Sequence, residues 1–555
     1  MTGGLGARTE ALERLAGGAF DLLVVGGGIT GAGIALDAAS RGLSVGLVER
    51  ADFASGTSSK SSKLVHGGLR YLEQREFALT REASIERDLL RRLAPHLVEP
   101  IPFVLPVSDK WNRARFGVGL WAYDALASFK NLKVHKHIDA AETERLVPAI
   151  RAGKVRGGYL FYDCKTDDAR MVVEVLTQAR RYGAVTANYA AVEDLDGTTG
   201  GCLASVRDGV TGAVFDVSAK RVVVAAGVWA DRVEHLAAQE AEPRLRPSKG
   251  IHLVFRKDAL PVSEAAAFIP DLERKRMLFV IPWHDAVLVG TTDTAYGGDL
   301  DSPAVEREDR EYCLSAVNST FQTSLSEDDV AGAYAGLRPL IAGRAGATAD
   351  LSRRYAVYDI APGIRGITGG KLTTWRRMAK DAVDRVAAEL GATAKSRTQW
   401  IRLGSSDVPR LQSAVARRAE RLGIPRSSIA NLVRCYGERA LAVLDLAERD
   451  GLAEPLVPGC LPVAAEAAYG VQAEMVVHLD DLLARRTRLA LTDPLAGIGP
   501  GSTAAEAAGS ALGWTASQTG AEVVRHRDLV ERERGTSLRP SPPAADDTAA
   551  RLGAG

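Results

Sequence analysis

Residues 21–50 read DLLVVGGGITGAGIALDAASRGLSVGLVER, and this stretch decides the fold. Leu22-Leu23-Val24-Val25 is a short, unbroken apolar run, the pattern of a strand buried on both faces of a parallel sheet. Gly26-x-Gly28-x-x-Gly31 follows at once, and an Ala-rich helical stretch runs on to Ser40. A second strand, 43–48, ends in Glu49. The three glycines permit a tight turn, close approach to a pyrophosphate and close helix–strand packing. The helix N-terminus then offers free N–H groups and a positive dipole end to the phosphates. Glu49 stands where a carboxylate accepts hydrogen bonds from an adenosine ribose, and it disfavours a 2′-phosphate and hence NADP. The unit binds a dinucleotide; the motif by itself does not separate FAD from NAD.

Outward from this unit the chain is discontinuous. A third buried strand, 221–227, lies far downstream, so other segments are inserted into the first domain. Apolar runs at 251–255, 277–283 and 286–291 read as strands of a second sheet. From about 405 the sequence turns to Ala, Leu, Arg and Glu with helical spacing, as in Ala414–Leu422 and Val476–Leu489, and predicts a helical C-terminal domain. The expected division is 18–90, 150–235 and 345–390 for a Rossmann-like dinucleotide-binding domain of α/β class. Residues 91–149 and 236–344 form a substrate or cap domain with a mixed β-sheet, and 400–532 the helical domain. Residues 1–17 and 535–555 read as flexible ends.

The whole chain has 555 residues, with 70 Lys+Arg against 69 Asp+Glu. Such a length buries a large core without disulfides or metal. The balance argues against a dedicated nucleic-acid binder, whose footprint is strongly basic. Five scattered cysteines without a CxxC read as reduced thiols in a cytosolic protein, with no zinc site. No secretory signal and no run of about 18 apolar residues is found.

The chemistry concentrates in three segments. Residues 53–72, FASGTSSKSSKLVHGGLRYL, end with Lys63, His66, Arg70 and Tyr71 alternating with apolar residues and glycines, as expected of backbone pressed against a flat ring. Residues 335–340, AGLRPL, put Arg338 inside an apolar stretch, where a cation needs a partner. Residues 367–376, ITGGKLTTWR, open a helix at Lys371, whose charge and N–H groups attract an anion or a polarised carbonyl oxygen. A satisfied core histidine or internal salt bridges would explain each feature singly; together they suggest cations gathered around an anionic ligand.

These residues resemble the FAD-dependent glycerol-3-phosphate dehydrogenases. The resemblance runs from about Asp21 to Leu390 and less specifically to about residue 530. It is carried by the dinucleotide unit, SGTSSKSSKLVHGGLRYLE, YDCKTDDARMVVE, VIPWHDAVLVGTTDT, AGLRPL and GGKLTTWR. It implies a D-amino-acid-oxidase-type flavoprotein with a helical C-terminal cap and non-covalent FAD. It implies oxidation of sn-glycerol 3-phosphate to dihydroxyacetone phosphate, in glycerol and glycerophospholipid catabolism, with electrons passed to a membrane quinone. It places FAD contacts at Gly26, Gly28, Gly31, Glu49, Ser61, Ser62, Lys63, Leu64, Gly227, Gly370, Leu372 and Thr373. It makes His66, Arg338 and Lys371 catalytic, with Arg70, Tyr71 and Thr292 on the substrate. His66 is the candidate base, because an imidazole near neutrality suits proton removal from an alcohol. Departures are Val224-Ala225-Ala226-Gly227 and Trp375, where the family often has Asn-Ala-Thr-Gly and Tyr.

Residues 110–137, KWNRARFGVGLWAYDALASFKNLKVHKH, mix six Lys and Arg with five aromatic residues and one acid, Asp124. This suits either an interfacial segment on an anionic membrane or a cap helix packed on the core. The resemblance favours peripheral contact with the cytoplasmic membrane face. An O₂-using oxidase and a non-catalytic FAD protein are the competing readings, and the oligomeric state, a homodimer among the options, stays open.

Overall fold

The computed structural model describes residues 5–69, 76–126, 133–148, 150–151, 155–239, 242–271, 276–342, 354–405 and 407–539. Five parallel strands form the heart of the first sheet, in the order Val185–Ala187, Val45–Val48, Ala19–Val25, Val214–Val224 and Ile364–Gly369. The chain runs from Ala19–Val25 outward to one side and later returns to the other. The carboxyl ends of Ala19–Val25 and Val214–Val224 therefore flank the point where strand order reverses, the place where open α/β sheets bind ligands. Helix Ile29–Ser40 is buried along almost its whole length, because the sheet covers one side and helices Asp168–Arg181 and Trp375–Glu389 the other.

The second sheet is mixed. Ser248–Arg256 pairs antiparallel with both Val330–Arg338 and Ala286–Gly290; the series continues through Arg276–Trp283, Ala266–Asp271, Glu99–Pro106 and Gly158–Lys165 to Leu64–Val65. Side chains alternate along Ser248–Arg256 as a strand requires. Ile251, Leu253 and Phe255 enter one apolar core, and Val254 enters another with Trp283 and Tyr334. Leu64–Val65 and Gly158–Lys165 belong to this sheet, not to the dinucleotide-binding one. The expected segments 18–90 and 150–235 thus cross between the two sheets, because the loop before His66 is held by backbone pairing to Cys164 and Lys165.

Two further expectations are corrected. Residues 6–16 of the expected loose arm form helix Gly6–Ala16, since Leu15 is fully buried and Arg8 reaches Asp208 at 2.5 Å and the Asn188 carbonyl at 3.1 Å. Val476–Leu489 is not one helix. Helix Ala464–Glu474 ends at Met475 (φ 56°), Asp481 accepts the Val477 and His478 amides at 2.9 Å, and a wider turn spans Asp481–Arg486. A regular helix would point Arg485, Arg486 and Arg488 in different directions; here all three reach carboxylates of the dinucleotide-binding unit. The expected helix Ala414–Leu422 is the second half of Val408–Arg421, with Leu422 as its C-cap. Residues 540–555 of the expected tail lie outside the described residues. All five cysteines are free. Among the described residues, no helix is long and apolar enough to cross a membrane, and no cluster of His, Cys, Asp and Glu could hold a metal ion.

Candidate active site

A cleft of about 1140 Å³ opens at the strand-order reversal, lined by Gly26, Gly28, Glu49, Gly227, Gly370 and Leu372 among others. Its floor admits no side chain at two places. A Cβ on Gly31 would lie 1.9 Å from the Gly26 carbonyl oxygen, and one on Gly26, at φ 117°, would lie 2.5 Å from that of Ala225. Helix Ile29–Ser40 starts at the cleft, and Ser58 Oγ accepts the Ile29 amide at 3.0 Å. Glu49 accepts the Gly27 amide at 2.7 Å and the Ala51 amide at 2.9 Å, and burial raises its carboxyl above the ordinary range.

A second cavity of about 840 Å³ continues from this cleft and shares Thr57, Pro339, Gly370, Lys371 and Leu372 with it. Here the three separated sequence segments meet. His66 lines it at the end of Leu64–Val65. The Thr373 hydroxyl receives the His66 amide at 3.1 Å and donates to its carbonyl at 3.3 Å. The next residue is anchored too: the Gly67 amide donates to Asp163 at 3.1 Å, and a Cβ there would strike the Tyr123 hydroxyl. Lys371 enters because Gly369 and Gly370, at φ 82° and 77°, turn the strand sharply into the next helix. Arg338 ends strand Val330–Arg338 and lies across Gly250, whose Cβ would fall 2.3 Å from its Nη2. Its guanidinium donates to Thr291 Oγ1 and the Thr292 carbonyl at 3.0 Å and to Ser248 Oγ at 3.2 Å, with Asp293 at 3.3 Å.

The structure redistributes some expected roles. Ser61, Ser62, Leu64 and Thr373, expected as FAD contacts, line the second cavity and not the dinucleotide cleft. Lys63 lines neither. Its backbone is left-handed (φ 55°), and its ammonium turns inward to Asp168 and the Ser59 carbonyl, both at 2.9 Å. Burial, then Arg488, pull its pKa down to about 8 against Asp168 and Asp167. Thr292 is buried with its hydroxyl spent on the Ile251 amide at 3.1 Å, and Thr291 is the threonine that lines the cavity. Arg70 and Tyr71 lie outside the described residues. Five residues went unread. His252 lines the cavity, stacks on Tyr334 at 4.9 Å, and meets Ser62 Oγ at 2.9 Å; burial first, then Lys63 and Arg338, keep it neutral. Trp229 lines the dinucleotide cleft beneath Arg50, and Ala190–Val192 complete its wall. Only strand register could have signalled His252, since its parity with Gly250 and Val254 places it on one face.

Residues 21–376 match the family model described as FAD dependent oxidoreductase, and residues 396–519 that of the C-terminal domain of alpha-glycerophosphate oxidase. Glycerol-3-phosphate dehydrogenase 2 of Mycobacterium tuberculosis is 41% identical over 553 residues, covering 97% of this chain and 93% of that one. The aerobic glycerol-3-phosphate dehydrogenase of Bacillus subtilis is 35% identical over 84% of this chain and 87% of its own length. The FAD complex of the Bacillus halodurans glycerol-3-phosphate dehydrogenase superposes with a TM-score of 0.78 at 30% identity, covering 97% of this chain and 99% of that one. The chain is therefore an FAD-dependent oxidoreductase, and within that class it belongs to the glycerol-3-phosphate dehydrogenase family.

The residues fit the cofactor. The Gly26–Gly31 turn leaves room for a pyrophosphate at the helix N-terminus, and Glu49, Gly227 and Gly370 line the same cleft. Gly31→Val should abolish FAD binding, because its side chain must displace the Gly26 carbonyl. The check is flavin absorbance of the purified variant after FAD addition. A yellow, folded Gly31→Val would contradict this placement.

Proposed function

We propose that this chain oxidises sn-glycerol 3-phosphate to dihydroxyacetone phosphate and passes the electrons to a quinone at a membrane surface. The observation that carries the reading is the convergence of His66, Arg338 and Lys371 on one cavity that opens into the dinucleotide cleft. A phosphate dianion explains why an alcohol-oxidising site needs several cations, and the family resemblance assigns Arg70 and Tyr71 to the same clamp. FAD, held by the residues of the dinucleotide cleft, would supply the acceptor for the C2 hydride. His66 removes the C2 hydroxyl proton, and the Thr373 and Asp163 anchors hold its backbone in place. Arg338 and Lys371 stabilise the developing alkoxide and bind the phosphate, and the Thr291 hydroxyl with the Thr292 carbonyl orients the Arg338 fork.

A third cavity of about 1590 Å³ supports the acceptor. It shares Ser62, Leu64, His66, Thr291 and Arg338 with the substrate cavity; the rest of its wall is mostly apolar, with Phe103, Phe161, Phe268 and Phe279, beside Arg115 and Asp163. A three-carbon phosphate ester does not need such a lining; a quinone ring does. Helix Lys110–Leu126 forms part of this wall through Phe116 and Val118. It buries Leu120, Tyr123 and Asp124 inward while exposing Val118 (72%) and Trp121 (63%) beside Arg113 and Arg115. The helix packs on the core through its inner face, and its outer face suits the proposed contact with an anionic lipid surface. Enzyme reduced by substrate without oxygen should be reoxidised far faster by a short-chain quinone than by air-saturated buffer in a stopped-flow experiment. Faster reoxidation by air would make it an oxidase.

A further inference from the structure

The loop that lines the substrate cavity is held from behind by the helical C-terminal unit. Asp168 starts helix Asp168–Arg181 and accepts the Ser61 amide at 3.0 Å, the Ser61 hydroxyl at 2.7 Å and the Lys63 ammonium at 2.9 Å. On its far side, Arg488 of the C-terminal unit donates to the same carboxylate and to Asp167 at 2.6 Å. Lys63 and Asp168 are fully shielded from solvent, and Arg488 is 4% exposed. A second tie comes from Glu533, near the end of helix Ala516–Arg534, which pairs with Lys60. Lys60 and Ser61 both line the substrate cavity, and the Tyr334 hydroxyl fixes the Ser61 carbonyl at 2.8 Å.

We propose that Arg488 and Glu533 are positioning residues, through which the C-terminal helical unit sets the placement of the flavin-contacting loop Lys60–Leu64. The charges explain why. Two cations, Lys63 and Arg488, balance two carboxylates, Asp167 and Asp168, in a shielded site. Without Arg488 one carboxylate is left uncompensated, which such a site does not tolerate. Either Asp168 takes a proton or it moves, and in both cases its hold on Ser61 and Lys63 changes. The backbone from Ser61 to Leu64 leads directly into His66, so a displacement there is transmitted to the base and to the substrate cavity. Glu533 acts at the other end of the loop with a milder, partly exposed pair.

This inference rests on the FAD-enzyme reading above, and its test is separable from it. Holoenzyme carrying Arg488→Met, Arg488→Lys, Glu533→Lys, Lys60→Glu or the Glu533→Lys/Lys60→Glu pair is compared by visible circular dichroism of the bound flavin without substrate, by FAD affinity, and by kcat and KM per bound flavin. Arg488→Met is expected to change the flavin circular dichroism and lower kcat by about 10- to 100-fold, with a smaller change in KM. Arg488→Lys should recover part of the loss, and the reversed pair should regain activity over either single substitution. Lower thermal stability with wild-type flavin signal and kcat would overturn the proposal and leave a plain structural clamp. Should Arg488→Met not fold, the Lys60 and Glu533 series decides alone. Wild-type protein that binds FAD but ignores sn-glycerol 3-phosphate would sink the substrate reading, while the dichroism and affinity results would still decide this one.

Discussion

Arg338→Ala lowers kcat/KM for sn-glycerol 3-phosphate by about 10³-fold or more, while FAD stays bound; a single preorganised electrostatic contact to a developing oxyanion is worth about 10² to 10³ in kcat, and the lost phosphate contact adds to it. The expectation follows from how the guanidinium is held. Thr291, Ser248 and the Thr292 carbonyl grip it from one side, and Gly250 lets it lie flat. None of these groups contacts the Gly26–Gly31 turn, so cofactor retention is a fair control. Arg338→Lys keeps the charge but loses the fork, and recovers only part of the activity. Lys371→Met should fall in the same range, because Lys371 lines the same cavity. Steady-state kinetics per bound flavin checks both; an alanine variant with nearly wild-type kcat/KM would remove Arg338 from the reaction.

His66→Gln lowers kcat by about 10² to 10⁴, the usual contribution of a positioned acid–base group. Glutamine keeps volume and hydrogen bonding, and the Thr373 and Asp163 anchors on the neighbouring backbone remain. The loss therefore reports proton transfer more than structure. The pH–rate profile gives the diagnostic readout: the acid limb present in the wild type should vanish in the variant. A variant that keeps that limb and most of its kcat would shift attention to His252, the other histidine on this cavity, which contacts Ser62.

Much of this arrangement was legible in the sequence because the deciding constraints are local. The Gly26–Gly31 turn, the strand before it and Glu49 after it each follow from short-range backbone rules, and the structure assembles them around one cleft. The pairing of Gly369 and Gly370 before Lys371 likewise announced a sharp turn into a helix. What escaped depended on distant partners. Lys63 faces inward because the Asp168 carboxylate waits there, a partner 105 positions away that is itself held by Arg488 and that no local pattern reveals. The choice between Thr291 and Thr292 depends on where Ala286–Gly290 ends and how Arg338 crosses it, not on residue type. Helix Gly6–Ala16 looked loose because its glycines and polar residues hide three anchoring side chains, Arg8, Ala11 and Leu15. The Val476–Leu489 stretch has helical spacing, yet its arginines serve ion pairs across the interface with the first unit.

The most direct measurement is an anaerobic titration of the FAD-loaded protein with sn-glycerol 3-phosphate, followed by visible flavin absorbance. The account predicts bleaching with this substrate and none with glycerol or an amino acid, because the site needs both a secondary alcohol for His66 and a phosphate for its cations. An unbleached flavin in the presence of sn-glycerol 3-phosphate would contradict the central claim.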